Sequence, residues 1–354
     1  MSKVEVKVEF ETITPLWTGD AWMENSGIRP SSLIGSLRFW FEVICYFSGI
    51  CDKKEFDISK GRFEKDIKND EIRKKLLDYG TDFNGQVQAL RELNIPIPAI
   101  VFGTTGWRSL VEIKGIQPLE DYCFGNKLNL PVKFCINKNN PNQIQEGNNY
   151  PQRSNNTYSV FYFKITYFWG KFLVIFEVEQ DIKNTIFLPL LTFMDKYGYW
   201  GGGWNIGYGR SKVLSVNGQN NTLKVKEFDF SVFETNRKKI KIDSSESKTD
   251  NFLVKIDSKE NLIKSELRNI ILFKESNCEQ DIKEIIKKLI KEKSILRRST
   301  QEAKNRHYLF GKTGNIQGED LPQGSKIFPY INKLNNNSYE CGLLSIAGIL
   351  SLYD

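Results

Sequence analysis

The first ten residues, MSKVEVKVEF, place Val4, Val6, Val8 and Phe10 in strict alternation with Lys3, Glu5, Lys7 and Glu9. Successive side chains of a strand point to opposite faces, so this period-two pattern specifies a strand buried on one side and wet on the other. The rest of the chain must supply its partners. Pro30-Ser-Ser predicts a helix start with a Ser as N-cap, and Leu33, Ile34, Leu37, Trp40, Phe41 and Ile44 follow at helical spacing. Residues 53–94 read as further surface helix, ended by Pro96 and Pro98. A second strand is expected over Trp107–Ile116.

The segment 137–157 carries eight Asn in 21 residues and reads as a long mobile loop. Its Asn155-Asn-Thr sequon carries no meaning inside a cell. Phe161, Phe163 and Ile165 then alternate up to Trp169-Gly170, and Phe172, Val174, Phe176 and Val178 alternate back, which predicts a hairpin. A helix over about 184–196, a glycine cluster and a strand over 211–216 complete the order strand, helix, strand, strand, helix, strand. That is the β-α-β-β-α-β order of a ferredoxin-like or RRM-like unit. Soft polar stretches at 217–222 and 243–250 divide the chain into 1–218 and 219–354. In the second part a strand is expected over 252–256, a helix over 261–273, and an amphipathic helix with Ile282, Ile285, Ile286, Leu289, Ile290 and Leu296 on one side. A final hairpin spans Asn335-Asn-Asn337. Phe102-Gly-Thr-Thr-Gly106 recurs as Phe310-Gly-Lys-Thr-Gly314, an echo that fits a duplicated fold. The expected class is therefore α+β, with two tandem ferredoxin-like domains carrying helical and loop insertions.

Composition excludes several function classes. A single His among 354 residues rules out multi-His zinc chemistry and a His pair for acid/base work. No metal or cofactor is expected. The six Cys (45, 51, 123, 135, 278, 341) show no metal-knuckle spacing and read as reduced, packed thiols. There is no apolar leader at the N-terminus, and apolar runs such as 172–176 fall far short of the roughly 20 residues that cross a bilayer. A soluble cytoplasmic chain with no membrane partner is the expectation.

The formal charge is +7, and most of the excess lies between Lys283 and Arg306, where nine basic residues face three acidic ones. Such a block is either the solvated side of a helix or the footprint of a polyanion. Gly311-Lys-Thr fails as a nucleotide-binding loop, because Arg306 stands where that motif needs glycine. The cluster Tyr199-Trp-Gly-Gly-Gly-Trp-Asn-Ile-Gly-Tyr-Gly-Arg210 fails as a dinucleotide fingerprint, because a strand follows it. Five glycines in nine residues suit instead a loop whose amides face an anion, with Arg210 adding charge at its exit. Arg29, Arg38 beside Phe39 and Trp40, and Arg108 beside Trp107 supply the guanidinium-and-ring neighbours that RNA contacts use, although Phe39 or Trp40 belongs equally to a core. Asp20, Glu24 and Glu42 form only a weak carboxylate set. His307, next to Arg306, is an alternative acid/base toward a ribose 2′-hydroxyl.

Three blocks together, Ile13-Thr-Pro-Leu-Trp-Thr-Gly19, Ile28-Arg-Pro-Ser-Ser-Leu-Ile-Gly-Ser-Leu-Arg-Phe-Trp40 and Phe102-Gly-Thr-Thr-Gly-Trp-Arg-Ser109, resemble the first RAMP-superfamily subunit of the Cmr complex, the type III-B CRISPR RNA-guided effector. Arg306-His-Tyr-Leu-Phe-Gly311 and Gln323-Gly-Ser-Lys-Ile-Phe328 resemble that family's C-terminal portion, and the 201–210 loop resembles the wider superfamily's glycine-rich loop. The resemblance implies two tandem ferredoxin-like folds and a noncatalytic subunit that binds guide RNA, target RNA or both beside other RAMP subunits. Carried over by position, it places Arg29, Ser31, Ser32, Arg38, Gly201, Gly202, Gly203, Gly207, Gly209 and Arg210 along an RNA groove. To these the residue reading adds Arg108, Arg297, Arg298 and Arg306. A metal-independent CRISPR-RNA endoribonuclease using His307 is the alternative, and a subunit touching only proteins is a third reading.

Overall fold

The structure, a computed structural model, describes residues 2–19, 24–57, 59–147, 157–220, 223, 227–233, 274–278, 281–300, 302–311, 325–335 and 338–346. Strand β1 (Lys3–Thr12) buries Val6, Val8 and Phe10 while Glu5 and Lys7 stay exposed, as its alternation requires. Each such buried side chain stabilises by roughly 1.5–3 kcal/mol. Helix α1 (Pro30–Phe47) covers the buried face with Leu33, Leu37, Trp40, Phe41 and Ile44. Of the two rings read as either core or contact, Trp40 is fully buried and Phe39 half-buried.

Between residues 53 and 102 the expected surface helix is broken up. Short strands β2 (Phe56–Asp57) and β3 (Arg62–Phe63) precede α2 (Asn69–Tyr79), α3 (Phe83–Glu92) and α4 (Ile97–Phe102). Pro96 and Pro98 do not only end a helix; they open α4, where a missing N–H is harmless. Strand β4 (Val111–Pro118) starts later than expected, because Thr104 and Trp107 pair in a tight turn.

β1 lies between β10 (Lys171–Glu179) and β11 (Ser211–Val216), and β10 holds β4 on its far edge, every pairing antiparallel. With β12 (Gln219–Asn220) the order is β12-β11-β1-β10-β4. Between β10 and β11 runs one helical stretch: α5 (Gln180–Ile182), a π-helical turn (Lys183–Phe187) and α6 (Leu188–Lys196). The elements of this sheet and its covering helices thus follow the order strand, helix, strand, strand, helix, strand along the chain, with other short elements between them.

The hairpin expected over 161–178 does not form. β10 has both edges filled by the long strands β1 and β4. The preceding residues turn away: β8 (Tyr158–Tyr162) pairs with β6 (Lys133–Asn137), and β9 (Tyr167–Phe168) pairs with β5 (Phe124–Gly125). The Asn-rich segment also differs from a loop. β6 and β7 (Ile144–Gly147) make a hairpin, giving the sheet β7-β6-β8. Its asparagines are turn chemistry: Asn137 Oδ1 accepts from the backbone N–H of Asn139 (2.8 Å) and Asn140 (3.2 Å), and Asn140 Oδ1 from that of Asn142 (3.1 Å). The sequon lies outside the described residues.

In the C-terminal part α7 (Ile282–Ser299) buries Ile282, Ile285, Ile286, Leu289 and Ile290 of its predicted stripe and half-buries Leu296, and β13 (Lys274–Cys278), β14 (Ile327–Asn335) and β15 (Ser338–Ser345) form the sheet β13-β15-β14. The expected final hairpin is β14-β15. The strand over 252–256 and the helix over 261–273 lie outside the described residues, as does most of 217–250 beyond residue 233. Cys45, Cys51, Cys123 and Cys135 are buried free thiols, but Cys341 is disulfide-bonded, against the expectation of reduced cysteines throughout.

The five-residue echo has a structural counterpart. Helices α4 and α8 (Ala303–Phe310) each end at Phe followed by a glycine with positive φ, Gly103 (+84°) and Gly311 (+76°). After each, a serine hydroxyl donates to the first carbonyl of the next strand: Ser109 to Val111 O (2.6 Å) and Ser325 to Ile327 O (2.8 Å). Leu110 N–H donates to Val101 O as Lys326 N–H does to Leu309 O. The orders β1-β10-β4 and β13-β15-β14 correspond in turn. Among the described residues no helix is long and apolar enough to cross a membrane.

Candidate nucleic-acid interface

α1 begins without a side-chain cap. Arg29, expected to precede a serine N-cap, is itself the N-cap residue, with Pro30 in the first turn and no acidic residue there. The positive end of the helix therefore stays uncompensated within the helix. Arg29 and Ser31 are exposed. Ser32 turns its hydroxyl to Thr18 O (3.0 Å), and Thr18 Oγ1 accepts from the Arg29 backbone N–H (3.1 Å). These bonds fix the 13–19 segment against the helix start.

The glycine loop docks on the same segment. Gly202 N–H donates to Trp17 O (2.8 Å), Gly201 N–H to Ser36 Oγ (2.9 Å) and Gly209 N–H to Pro15 O (2.8 Å). A Cβ on Gly201 would lie 2.3 Å from Trp17 O, and one on Gly209 2.2 Å from Trp200 O, so close backbone approach demands glycine at both. Gly207 N–H donates to Trp204 O. The amides of Gly201, Gly202, Gly207 and Gly209 are thus used internally, which corrects the expectation of a row of loop amides facing an anion. What the loop presents outward is the edge from Gly201 to Asn205 beside Trp17, whose ring lies under Lys164 Nζ at 5.1 Å. The buried Trp17 indole N–H has no acceptor among the described residues.

Three arginines serve other ends. Arg210 is fully buried and gives no charge at the loop exit. Its Nη2 donates to Lys196 O (2.7 Å) and Asp195 O (3.2 Å), its Nη1 to Gly198 O, and its Nε to Ile331 O (3.2 Å), so it closes the carbonyl end of α6 and ties it to β14. Arg38 spends its donors on Glu42 (2.9 Å), Glu64 (3.1 Å), Gly103 O (2.9 Å) and Phe63 O (3.2 Å). Burial pushes the Glu42 carboxyl up to about 7, with Arg38 pulling the other way. Arg108 is exposed but makes a two-pronged pair with Glu112, its Nη2 at 2.7 Å, and with Lys3 this holds the Glu112 carboxyl down at about 2.

The basic block on α7 splits into distinct parts. Lys287 pairs with Glu146 (2.7 Å) and Glu284 (3.3 Å), and Lys291 Nζ donates to Asn142 Oδ1 (2.9 Å), so this part fastens the β6–β7 hairpin. Lys293 departs from the solvated face. It is buried, donates to Asn205 O (2.9 Å) and Ile327 O (2.8 Å), and burial, with Arg297 adding repulsion, pulls it down to about 7. Its position was readable, since it continues the stripe of Ile286, Leu289 and Ile290. Arg297 and Arg298, in the last turn of α7, and Arg306 on α8 are half-buried and gather with Lys138, which no sequence signal marked. His307 sits half-buried in the last turn of α8.

A profile of the RAMP superfamily matches residues 9–215. The chain belongs to the RAMP superfamily. The RAMP match takes in the 13–19 segment, α1, the glycine loop and nearly all of β11, and stops before α7. No curated protein sequence matches the chain. Among solved structures, apo Cmr1 from Pyrococcus furiosus is similar at 18% identity over 97% of this chain and 88% of that one, with a TM-score of 0.41. A chain of the type III-B Cmr-beta complex bound to cognate target RNA and AMPPnP is similar at 13% identity over 99% of each chain, with a TM-score of 0.42.

Proposed function

We propose that this RAMP chain is a noncatalytic RNA-binding subunit of a cytoplasmic type III-B CRISPR effector, built as two tandem ferredoxin-like units and contacting guide RNA, target RNA or both beside other RAMP subunits in antiviral target capture. The observation that carries the reading is the convergence of Arg29, Ser31, Ser32 and Gly201–Gly203 on one surface, although they come from opposite ends of the first unit. An exposed arginine at a helix start with no acidic residue in its first turn brings positive charge to phosphates, while the glycine edge and Trp17 let a backbone and its bases lie close. The resemblance of the 13–19, 28–40 and 102–109 blocks to the first Cmr RAMP subunit supplies the complex. Electrophoretic or anisotropy titration with single-stranded RNA tests it. Affinity should fall with salt by a slope of about −0.7 per phosphate neutralised, and Arg29→Ala should weaken binding without RNA cleavage in either protein. Salt-independent binding, or an RNA cut by the wild type, overturns the reading.

A further inference from the structure

We propose that Lys138, Arg297, Arg298 and Arg306 form a pocket for one phosphate group of RNA, a discrete site within the RNA-binding reading on which it rests. Three separate elements meet there: Arg298 at the end of α7 donates through Nη1 to Lys138 O directly after β6, and Arg306 on α8 reaches Thr300 O just past α7. None of Arg297, Arg298 and Arg306 pairs with a carboxylate among the described residues, while nearer the start of α7 Lys287 pairs with two. Among the described residues, then, carboxylates meet the cations near the start of this helix and not the three arginines near its end.

The competing account is that Arg297 and Arg298 only answer the negative end of α7. That end is worth about half a charge, which does not balance the guanidinium groups of Arg297, Arg298 and Arg306. Burial and mutual repulsion pull Lys138 and Arg297 below their ordinary ranges: Lys138 is opposed by Arg298, Arg297 and Arg306, and Arg297 by Arg306. An anion placed among them relieves that repulsion.

Arg298 gives the pocket its shape. Its Nη1 donates to Lys138 O, which anchors the guanidinium, while Nε and Nη2 are buried with no acceptor among the described residues. Nε and Nη2 share one edge of the guanidinium plane, the edge that grips two oxygens of a phosphate in parallel hydrogen bonds. Among the described residues the Arg306 guanidinium is held by one 3.5 Å contact from Nη1 to Thr300 O, and it and Arg297 are half-buried, so side chains and not backbone move to admit the ligand.

The test is anisotropy titration of the full-length chain with labelled single-stranded RNA bearing a 5′-phosphate, a 3′-phosphate or hydroxyl ends. Arg306→Gln and Lys138→Gln should each weaken binding about tenfold and flatten the salt slope. Arg298→Lys, which keeps the charge and loses the fork, should weaken it as well, with far-ultraviolet circular dichroism unchanged. A preference for one phosphorylated end assigns the pocket to a terminal phosphate; equal affinity for all three assigns it to the backbone. If Arg29→Ala weakens binding while Arg306→Gln and Lys138→Gln leave affinity and slope untouched, the pocket is overturned and the RNA-binding reading stands. If the wild type binds no RNA, both fall. If polyglutamate displaces RNA and loses affinity with the same variants more steeply than RNA does, the pocket serves an acidic protein segment and the proposal is overturned.

Discussion

Lys293 carries a pH dependence that can be worked out at the level of one amine. Its two acceptors, Asn205 O and Ile327 O, match the two N–H bonds of a neutral amine, and burial lowers its pKa from 10.5 to about 7. In the unfolded chain the amine keeps its proton to about pH 10. Between pH 7 and 10 the unfolded state therefore binds more protons, so stability rises with pH, by up to about 1.4 kcal/mol per unit. Urea midpoints should climb between pH 7 and 9, and Lys293→Met should flatten that climb. Arg210 makes a simpler prediction: Arg210→Met strands the carbonyls of Lys196, Asp195, Gly198 and Ile331 and should lower unfolding free energy by about 3 kcal/mol or more in denaturant titrations. Sequence reasoning gave this arginine to RNA because a charged residue ending a glycine loop looks exposed. Only the positions of α6 and β14 show that it faces inward, and neither is local to it.

Among the elements, the glycine loop and α1 test opposite uses of one residue type. Gly209 has φ +91° and its added Cβ would strike Trp200 O at 2.2 Å, so Gly209→Ala should cost more than about 2 kcal/mol. Gly35 lies exposed in α1 with nothing near its Cβ position, so Gly35→Ala should stabilise by about 0.5–1 kcal/mol, read as a higher Tm. β1, α1 and α7 were legible because their apolar period states their geometry without reference to partners. The 161–178 hairpin was misread because period two reveals a strand but not its neighbour, and β10 was already claimed by β1 and β4. The Asn-rich segment was misread because low apolar content looks the same in a loop and in a hairpin whose turn is held by Asn side chains. Arg29, Ser31, Ser32 and Gly201–Gly203 could be named in advance, but Lys138 could not, since its neighbours come from α7 and α8.

At the scale of the molecule, two hydrophobic cores meet at the glycine loop. Ile206 and Tyr208 enter the core built by α7, β14 and β15, while Tyr199 and Trp200 belong to the core under the first sheet. Tyr199 OH donates to Pro329 O (3.0 Å), and Arg210 reaches Ile331 O. Residues 1–218 expressed alone should therefore aggregate, and co-expression with 219–354 should restore a soluble pair by size-exclusion chromatography. A Cβ on Gly207 would sit 3.1 Å from Pro329 Cβ. With φ +87° at Gly207 the backbone itself resists a side chain, so across related genes glycine should persist at 207 while the residue opposite it at 329 stays slim, and a half exchanged between relatives must bring a surface that still closes on that glycine.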